Sequence, residues 1–267
     1  MTERVAAQTR KLVVNADDFG FTRDVNRGIV EAHRDGILTA TTLMATGAEF
    51  EDAVRLAKEN PTLDIGCHLV LVGSPGFPES VAQLALSLGR IRVYDELAAQ
   101  VRRIVEAGLK PTHLDTHKHT HLLPPVLEAV ARISQEFSIP WVRRPFDFPL
   151  QPGGADWKRR MVSKALGGVR GRFARVLTKY GCRSTDHFAG FQITGKYGAA
   201  ELVALIHSLP AGVTEFMCHP GVCTEELRSQ RTRLKESREQ ELRALTSPQV
   251  REALREAGVE LVSYREL

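Results

Sequence analysis

The sequence predicts an α/β fold, a single-domain βα barrel of the TIM type, either closed or distorted, and three observations predict it. Short apolar runs rich in β-branched residues alternate with helical patterns along the chain, the signature of βαβ units around a parallel sheet. About eight strand candidates emerge, the number a closed barrel needs. The length, 267 residues, is one that such a barrel spends on a single core. One domain over residues 1–267 is therefore expected, with residues 1–10 disordered. No internal repeat or low-complexity tract interrupts it.

Taken in order, Leu12–Asp17 reads as the first strand. A helix follows from Thr22 to Arg34, where Val25, Ile29, Val30 and Ala32 recur at helical spacing and Gly36 suits the C-terminal cap. Thr39–Ala45 is a second strand, Glu51–Lys58 a helix closed off by Pro61, and Asp64–Val72 a third strand, almost continuously apolar. Gly73–Pro78 is loop. The pattern continues with helix Val93–Ala107, strand Pro111–His117, helix Pro125–Phe137 and a short strand Trp141–Arg144 stopped by Pro145. Phe146–Ala155, with Pro152, Gly153 and Gly154, is a connector, and a long basic helix follows. Further strands are expected at His187–Ile193, Val213–His219 and Val259–Tyr264. A charged helical region lies between the last two, with Ser247 as N-cap and Pro248 at the first helical position.

Composition excludes several classes. Hydrophobic residues make up 43% and charged residues 25%, enough for a sizeable core, which argues against disorder. The net charge of +4 is too small a surplus to point to nucleic acid. Much of it sits between Lys158 and Lys179. That basic amphipathic stretch reads first as a solvated helix face, with peripheral membrane contact as the alternative. Cys67, Cys182, Cys218 and Cys223 form no C-x-x-C pair, so Cys67 and Cys218 read as packing residues. The N-terminus lacks the apolar region of a signal peptide, and no apolar run approaches the roughly 18 residues of a membrane span. The chain thus reads as cytoplasmic, with reduced thiols.

The strongest chemical signal is His113-Leu-Asp115-Thr-His117-Lys-His119-Thr-His121, which holds four of the nine histidines. On an extended strand His113, Asp115 and His117 share one face, and the end of a barrel strand is where such folds keep their sites. The alternative is a polar stripe on an exposed edge. Asn15-Ala-Asp17-Asp18-Phe-Gly20 ends the first strand with adjacent carboxylates. Adjacent strand residues diverge, so one is free to hold a metal while the other faces the reacting water; alone, the pair fits a plain strand-to-helix turn equally well. His68 sits in an otherwise apolar strand, a position more often core than ligand. Spacing changes that. Some 50 residues separate Asp18 from His68, and again His68 from His117, room for two βα units each time. One carboxylate and two imidazoles leave positions open for water and substrate, and suit zinc, iron, cobalt, manganese or nickel better than calcium.

A fourth strand ends at Glu215-Phe-Met-Cys-His219-Pro220. Pro220 stops it, and His219 is as consistent with a structural turn as with function. Arg143 and Arg144 suit sugar hydroxyls or a surface ion pair equally, and His187 either lines the mouth or satisfies a strand end. His33 and His207 look incidental. There is no P-loop, dinucleotide fingerprint or nucleophile elbow.

At Val14-Asn-Ala-Asp-Asp-Phe-Gly20, Thr39-Ala-Thr-Thr-Leu43, Ile65-Gly-Cys-His-Leu69, Pro111-Thr-His-Leu-Asp-Thr-His117 and Met217-Cys-His-Pro-Gly221, the chain resembles the YdjC-like carbohydrate deacetylases (ChbG/HpnK). The resemblance runs from about Leu12 to Leu267 and is specific only when these segments are taken together. It implies a distorted TIM-type barrel with one divalent metal on Asp18, His68 and His117, Asp17 as catalytic base, and His219 as acid or transition-state partner. Magnesium is the family's usual metal, whereas two imidazoles argue for zinc. His113, Asp115, His119, His121 and Arg143 would orient ligands or substrate. Asp186-His-Phe-Ala-Gly190 and Ser237-Arg-Glu-Gln-Glu-Leu look closest to the hopanoid-associated HpnK branch, which implies an N-acetylglucosaminyl group on a lipid. No motif matches between Asp147 and Thr185.

The reaction expected is metal-assisted removal of an acetyl group from an N-acetylated amino sugar, free or lipid-linked, with no nucleic acid partner and with a homodimer left open. Two rivals are kept: a metal-dependent phosphoesterase on a related barrel, with His119 and His121 as extra ligands, and a catalytically silent carbohydrate-binding barrel.

Overall fold

Ten consecutive residues, Arg10–Phe19, form strand β1, and every residue of it from Leu12 onward is buried, because sheet and helices cover it on both faces. The computed structural model describes residues 9–148 and 169–267. Around β1 lie β2 (Ala40–Leu43), β3 (Asp64–Leu69), β4 (His113–Thr116), β5 (Trp141–Val142), β6 (His187–Ala189), β7 (Gly212–Cys218) and β8 (Val259–Leu261). The hydrogen-bonded order is β5-β4-β3-β2-β1-β7-β6, with β8 also pairing β1. All these pairings are parallel.

The eight expected strands are present, but the sheet curls into a half-barrel and does not close as a regular eight-stranded cylinder. Arg10 to Leu12 pair with β7 on one side and β8 on the other, and β2 joins β1 only from Asn15. β8 therefore fills the lower seam that β2 leaves empty. The outer strands β5 and β6 share no ladder; isolated bridges Trp141–Arg183 and Asp147–Phe188 span that side. The reason is local. β5 lies between Pro140 and Pro145, which lack the N–H a ladder needs, and β6 stops at Gly190, whose φ of 125° leaves the strand region.

The helices are α1 (Arg23–Arg34), α2 (Phe50–Glu59), α3 (Val81–Ser87), α4 (Val93–Glu106), α5 (Pro124–Glu136), α6 (Arg170–Lys179), α7 (Ala199–His207), α8 (Glu225–Arg228), α9 (Glu236–Leu245) and α10 (Pro248–Glu256). Thr22 Oγ1 accepts from Val25 N to cap α1, and Ser247 and Pro248 open α10 as the sequence suggests. The α3 stretch carries no assignment in the sequence reading. α1 and α4 turn Val25, Ile29, Leu97, Val101 and Ile104 onto the sheet, all with no exposed surface. Each such burial contributes about 1.5–3 kcal/mol.

Of the ten N-terminal residues expected to be disordered, 1–8 lie outside the described residues, while Arg10 already belongs to β1. Residues 149–168, which include most of the expected connector and the first half of the basic helix, also lie outside them. From Arg170 onward that helix buries Phe173 and Leu177 and exposes Arg172 and Arg175. Among the described residues no helix is long and apolar enough to cross a membrane.

Candidate active site

The C-terminal ends of the strands open into a cleft of about 780 Å³, within the range of small-molecule sites. Its acidic wall is made at the tip of β1. Ala16 faces Thr41 of β2 and Phe19 faces Leu43, so one extra residue is inserted between them. Asp18 absorbs this bulge with a φ of 70°, a left-handed conformation that costs an L-residue roughly 1–2 kcal/mol. The consequence is chemical: the bulge turns both Asp17 and Asp18 toward the cleft, where a regular strand would send them to opposite faces. Gly20 completes the turn at φ 93°, and a Cβ there would press on Leu43 and the Met44 carbonyl at 3.2 Å.

Two imidazole nitrogens converge on Asp18, making three donor atoms in all. Its Oδ1 lies 3.4 Å from His68 Nε2 and 3.3 Å from His117 Nδ1, and the two imidazole nitrogens are 3.2 Å apart. Such edges are those spanned by ligands about 2.0–2.1 Å from one tetrahedral cation. The ring of His68 is already oriented for coordination, because Asp115 accepts its Nδ1–H at 2.7 Å, which directs the Nε2 lone pair at the site. Around the site five buried carboxylates, Asp17, Asp18, Asp115, Glu215 and Glu241, face two buried guanidiniums, Arg143 and Arg238. The excess negative charge, like the donor set, suits a divalent cation.

Arg143 is not the exposed, sugar-facing or surface-paired side chain the sequence allowed. It is 2% exposed and its guanidinium bridges three acids. Nη1 and Nη2 hold Asp17 at 2.8 and 2.6 Å, Nη1 also meets Asp115 at 2.6 Å, and Nε donates to Glu215 at 2.6 Å. A second set of close donors, Asp17, His68 and Asp115, is thus already served by a cation. Arg144 points elsewhere and donates to the Asp186 carbonyl.

Burial opposes the charge of Asp17, but the Arg143 guanidinium overrides it and holds the carboxyl far below the usual carboxylate range. For Asp18, burial is likewise outweighed by Arg238 and the two imidazoles, and its pKa falls. His68 shows the opposite sign: burial disfavours its cation, yet Asp115, Asp18 and Asp17 raise its pKa well above the ordinary value. Burial pushes His219 and His119 down, and takes His121 to about 3 with help from Arg143.

The histidine-rich segment divides. His117 and His119 line the cleft, placed by a turn in which Lys118 and His119 both adopt φ 53°. His119 is 8% exposed, packs edge-on against Phe188, and its Nδ1 has no hydrogen-bond partner among the described residues. His113 and His121 do not reach the cleft. His113 stacks on Tyr264 at 4.1 Å between ring centroids and engages Asn15 and Thr112 at 2.8 Å each. Its ring fits only because β3 has Gly66, where a Cβ would come within 2.5 Å of it. His121 bonds Thr116 Oγ1 at 2.6 Å and the Arg143 carbonyl at 3.1 Å. His187 satisfies the Ala211 carbonyl, and the four cysteines are free thiols.

His219 stands across the cleft, with Nε2 3.9 Å from Asp17 Oδ2. Two residues that sequence reasoning left without a role complete the site, both from α9. Arg238, 1% exposed, pairs with Asp18 Oδ2, and Glu241, fully buried, accepts the His219 backbone N–H at 2.5 Å. Their i, i+3 spacing in Ser237-Arg-Glu-Gln-Glu-Leu was a usable signal. So was Glu215, a lone acid in an apolar strand.

A family model described as YdjC-like protein matches residues 11–256. A carbohydrate deacetylase of Brevibacillus brevis is 36% identical, with 96% of this chain and 99% of that one covered. One from Geobacillus stearothermophilus is 32% identical over 96% and 98%. A crystal structure of an Enterococcus faecalis protein named for cellobiose-phosphate cleavage superposes with a TM-score of 0.76 at 25% identity, covering 97% of this chain and 98% of that one.

Proposed function

The chain belongs to the YdjC-like family, and from that premise we propose that it is a metal-dependent carbohydrate deacetylase that hydrolyses the acetamido group of an N-acetylated amino sugar. The observation that carries this reading is the triangle of Asp18, His68 and His117, with edges of 3.2–3.4 Å, beside a second carboxylate and a third imidazole that stay out of it. Asp18, His68 and His117 would hold one divalent cation. When bound, zinc or magnesium supplies Lewis acidity, which polarises the acetyl carbonyl and acidifies water.

The chain's own groups account for the protons. Asp17, ionised and clamped by two Arg143 N–H groups, accepts the proton that water loses as it adds to the carbonyl carbon. Because that clamp lowers its basicity, Asp17 acts through fixed orientation more than through intrinsic proton affinity. The C–N bond then breaks, and the amine nitrogen leaves with a proton from His219, the imidazole across the cleft. The products are acetate and a free amino sugar. Phe21, Phe77, Phe191 and Leu234 along the cleft offer apolar faces to the acetyl methyl and the sugar ring.

A phosphoesterase that uses several metals draws less support, since Arg143 neutralises the second donor set and His121 has both nitrogens engaged. The deciding experiment measures acetate release from N,N′-diacetylchitobiose and from an N-acetylglucosaminyl glycolipid, with protein of known zinc and magnesium content. Acetate from one or both at one metal per chain is the expected result, and preference for the glycolipid would assign a lipid-linked acceptor. Phosphate release from sugar phosphates without any acetate would overturn the reading.

A further inference from the structure

We propose that Glu241 is a positioning residue for His219: it fixes the imidazole with Nδ1 toward its own carboxylate, so that Nε2 faces the departing amine. This rests on the deacetylase reading. Glu241 has no exposed surface, yet it is not an ion-pair partner of either buried arginine. Its hydrogen bonds go to the walls of the cleft. Oε2 accepts from the Tyr197 hydroxyl at 3.0 Å and from the His219 backbone N–H at 2.5 Å, and Oε1 accepts from Gly195 N at 2.8 Å. The carboxylate is therefore held on three sides. Oε2 also lies 3.9 Å from His219 Nδ1.

His219 Nδ1 is buried and has no hydrogen-bond partner among the described residues, and a buried ring nitrogen left unpaired costs about 1–3 kcal/mol. The two imidazole nitrogens look at two carboxylates at equal range, Glu241 at Nδ1 and Asp17 at Nε2, both 3.9 Å away. A small rotation of the ring toward Glu241 pairs Nδ1–H and places the acid–base nitrogen over the cleft. A carboxylate that faces a histidine in this way sets its tautomer and direction. The backbone bond at His219 adds a second constraint from the same group, since it fixes where the ring starts.

The test separates a positioning role from a structural one by changing the leaving group. N,N′-diacetylchitobiose has an amine leaving group that needs a proton, whereas 4-nitrophenyl acetate has a leaving group that needs none. Glu241→Gln is expected to lower kcat on chitobiose by about 10–100-fold, with KM and bound metal unchanged. Ester hydrolysis should fall by a clearly smaller factor than amide hydrolysis, and His219→Ala is expected to widen that split. Equal losses on both substrates, or no loss on the amide, would overturn the proposal while the deacetylase reading stands. A wild-type enzyme that releases acetate from neither substrate with zinc or magnesium bound would overturn both. Should Glu241→Gln fail to melt cooperatively, Tyr197→Phe carries the same comparison. It removes one hydrogen bond from Glu241 and should slow the amide alone by a few-fold; parallel slowing of the ester would count against the idea.

Discussion

Within one stretch of nine residues, His113 and His121 form sealed polar core while His117 and His119 form part of the cleft rim. The floor pair has both ring nitrogens of each residue satisfied by protein groups, namely Thr112, Asn15, Thr116 and the Arg143 carbonyl. The rim pair faces the cleft: His117 points its Nδ1 at Asp18 and His68, and His119 keeps an unpaired Nδ1. The floor sits on strand geometry and the first turn beyond it, whereas the rim depends on two consecutive left-handed residues, Lys118 and His119. Identical side chains thus do different work because of where hydrogen-bond partners are already committed. A buried imidazole with full partners is architecture; one with a nitrogen to spare is available to a ligand.

The sharpest way to break this contrast is His117→Ala. It should abolish metal retention and lower acetate release by at least about 10³-fold, with little change in the melting midpoint. Stoichiometric metal in the purified variant would show that the rim is not the metal site. His113→Ala should behave in the reverse sense. Loss of its stack on Tyr264 and its bond to Asn15 should reduce unfolding free energy by about 2–4 kcal/mol in a urea titration, while the folded fraction still binds metal. If His113→Ala unfolds no more readily than wild type, the floor is not the structural half.

Two smaller changes sharpen the picture. His119→Phe keeps the ring and the packing against Phe188 but removes both nitrogens. It should raise KM for an acetylated amino sugar by about 2–10-fold, the worth of one hydrogen bond, at constant metal content; an unchanged KM would return His119 to the packing class. Lys118→Gly relieves a left-handed residue at the exposed rim. A gain of up to about 1 kcal/mol in stability is expected, and a loss would mean that the turn is not strained.

The same contrast shows how far the sequence could be read. β1, α1, β3, α4 and α5 announce themselves through apolar periodicity, and Ser247 followed by Pro248 marks the start of α10. The candidate donors Asp18 and His68 were legible because one ends and the other interrupts an apolar run, and His117 because it lies in the histidine-rich segment. Two βα units do separate Asp18 from His68, but only one crossover, through α3 and α4, separates His68 from His117. Arg238 and Glu241 showed only as an i, i+3 pair on one helix face, with nothing to say what that face meets, and the buried state of Arg143 did not show at all. A charged residue in a helix looks the same in sequence whether its face meets solvent or a carboxylate, and α9 is mostly charged. Closure of the barrel was equally hidden, since β5 and β6 are too short for periodicity to speak.

Residue order by itself determined the parallel α/β architecture and the chemical identity of the donors, because side-chain alternation and strand-end position are properties of local chain geometry. Tertiary structure decided the rest: which carboxylates pair with Arg143 and which with Arg238, which histidines keep a free nitrogen, and that a bulge at Asp18 brings adjacent acids to one side. Those outcomes depend on groups as many as 220 residues apart in the chain, and competition among distant partners for the same buried charge leaves no trace in local pattern.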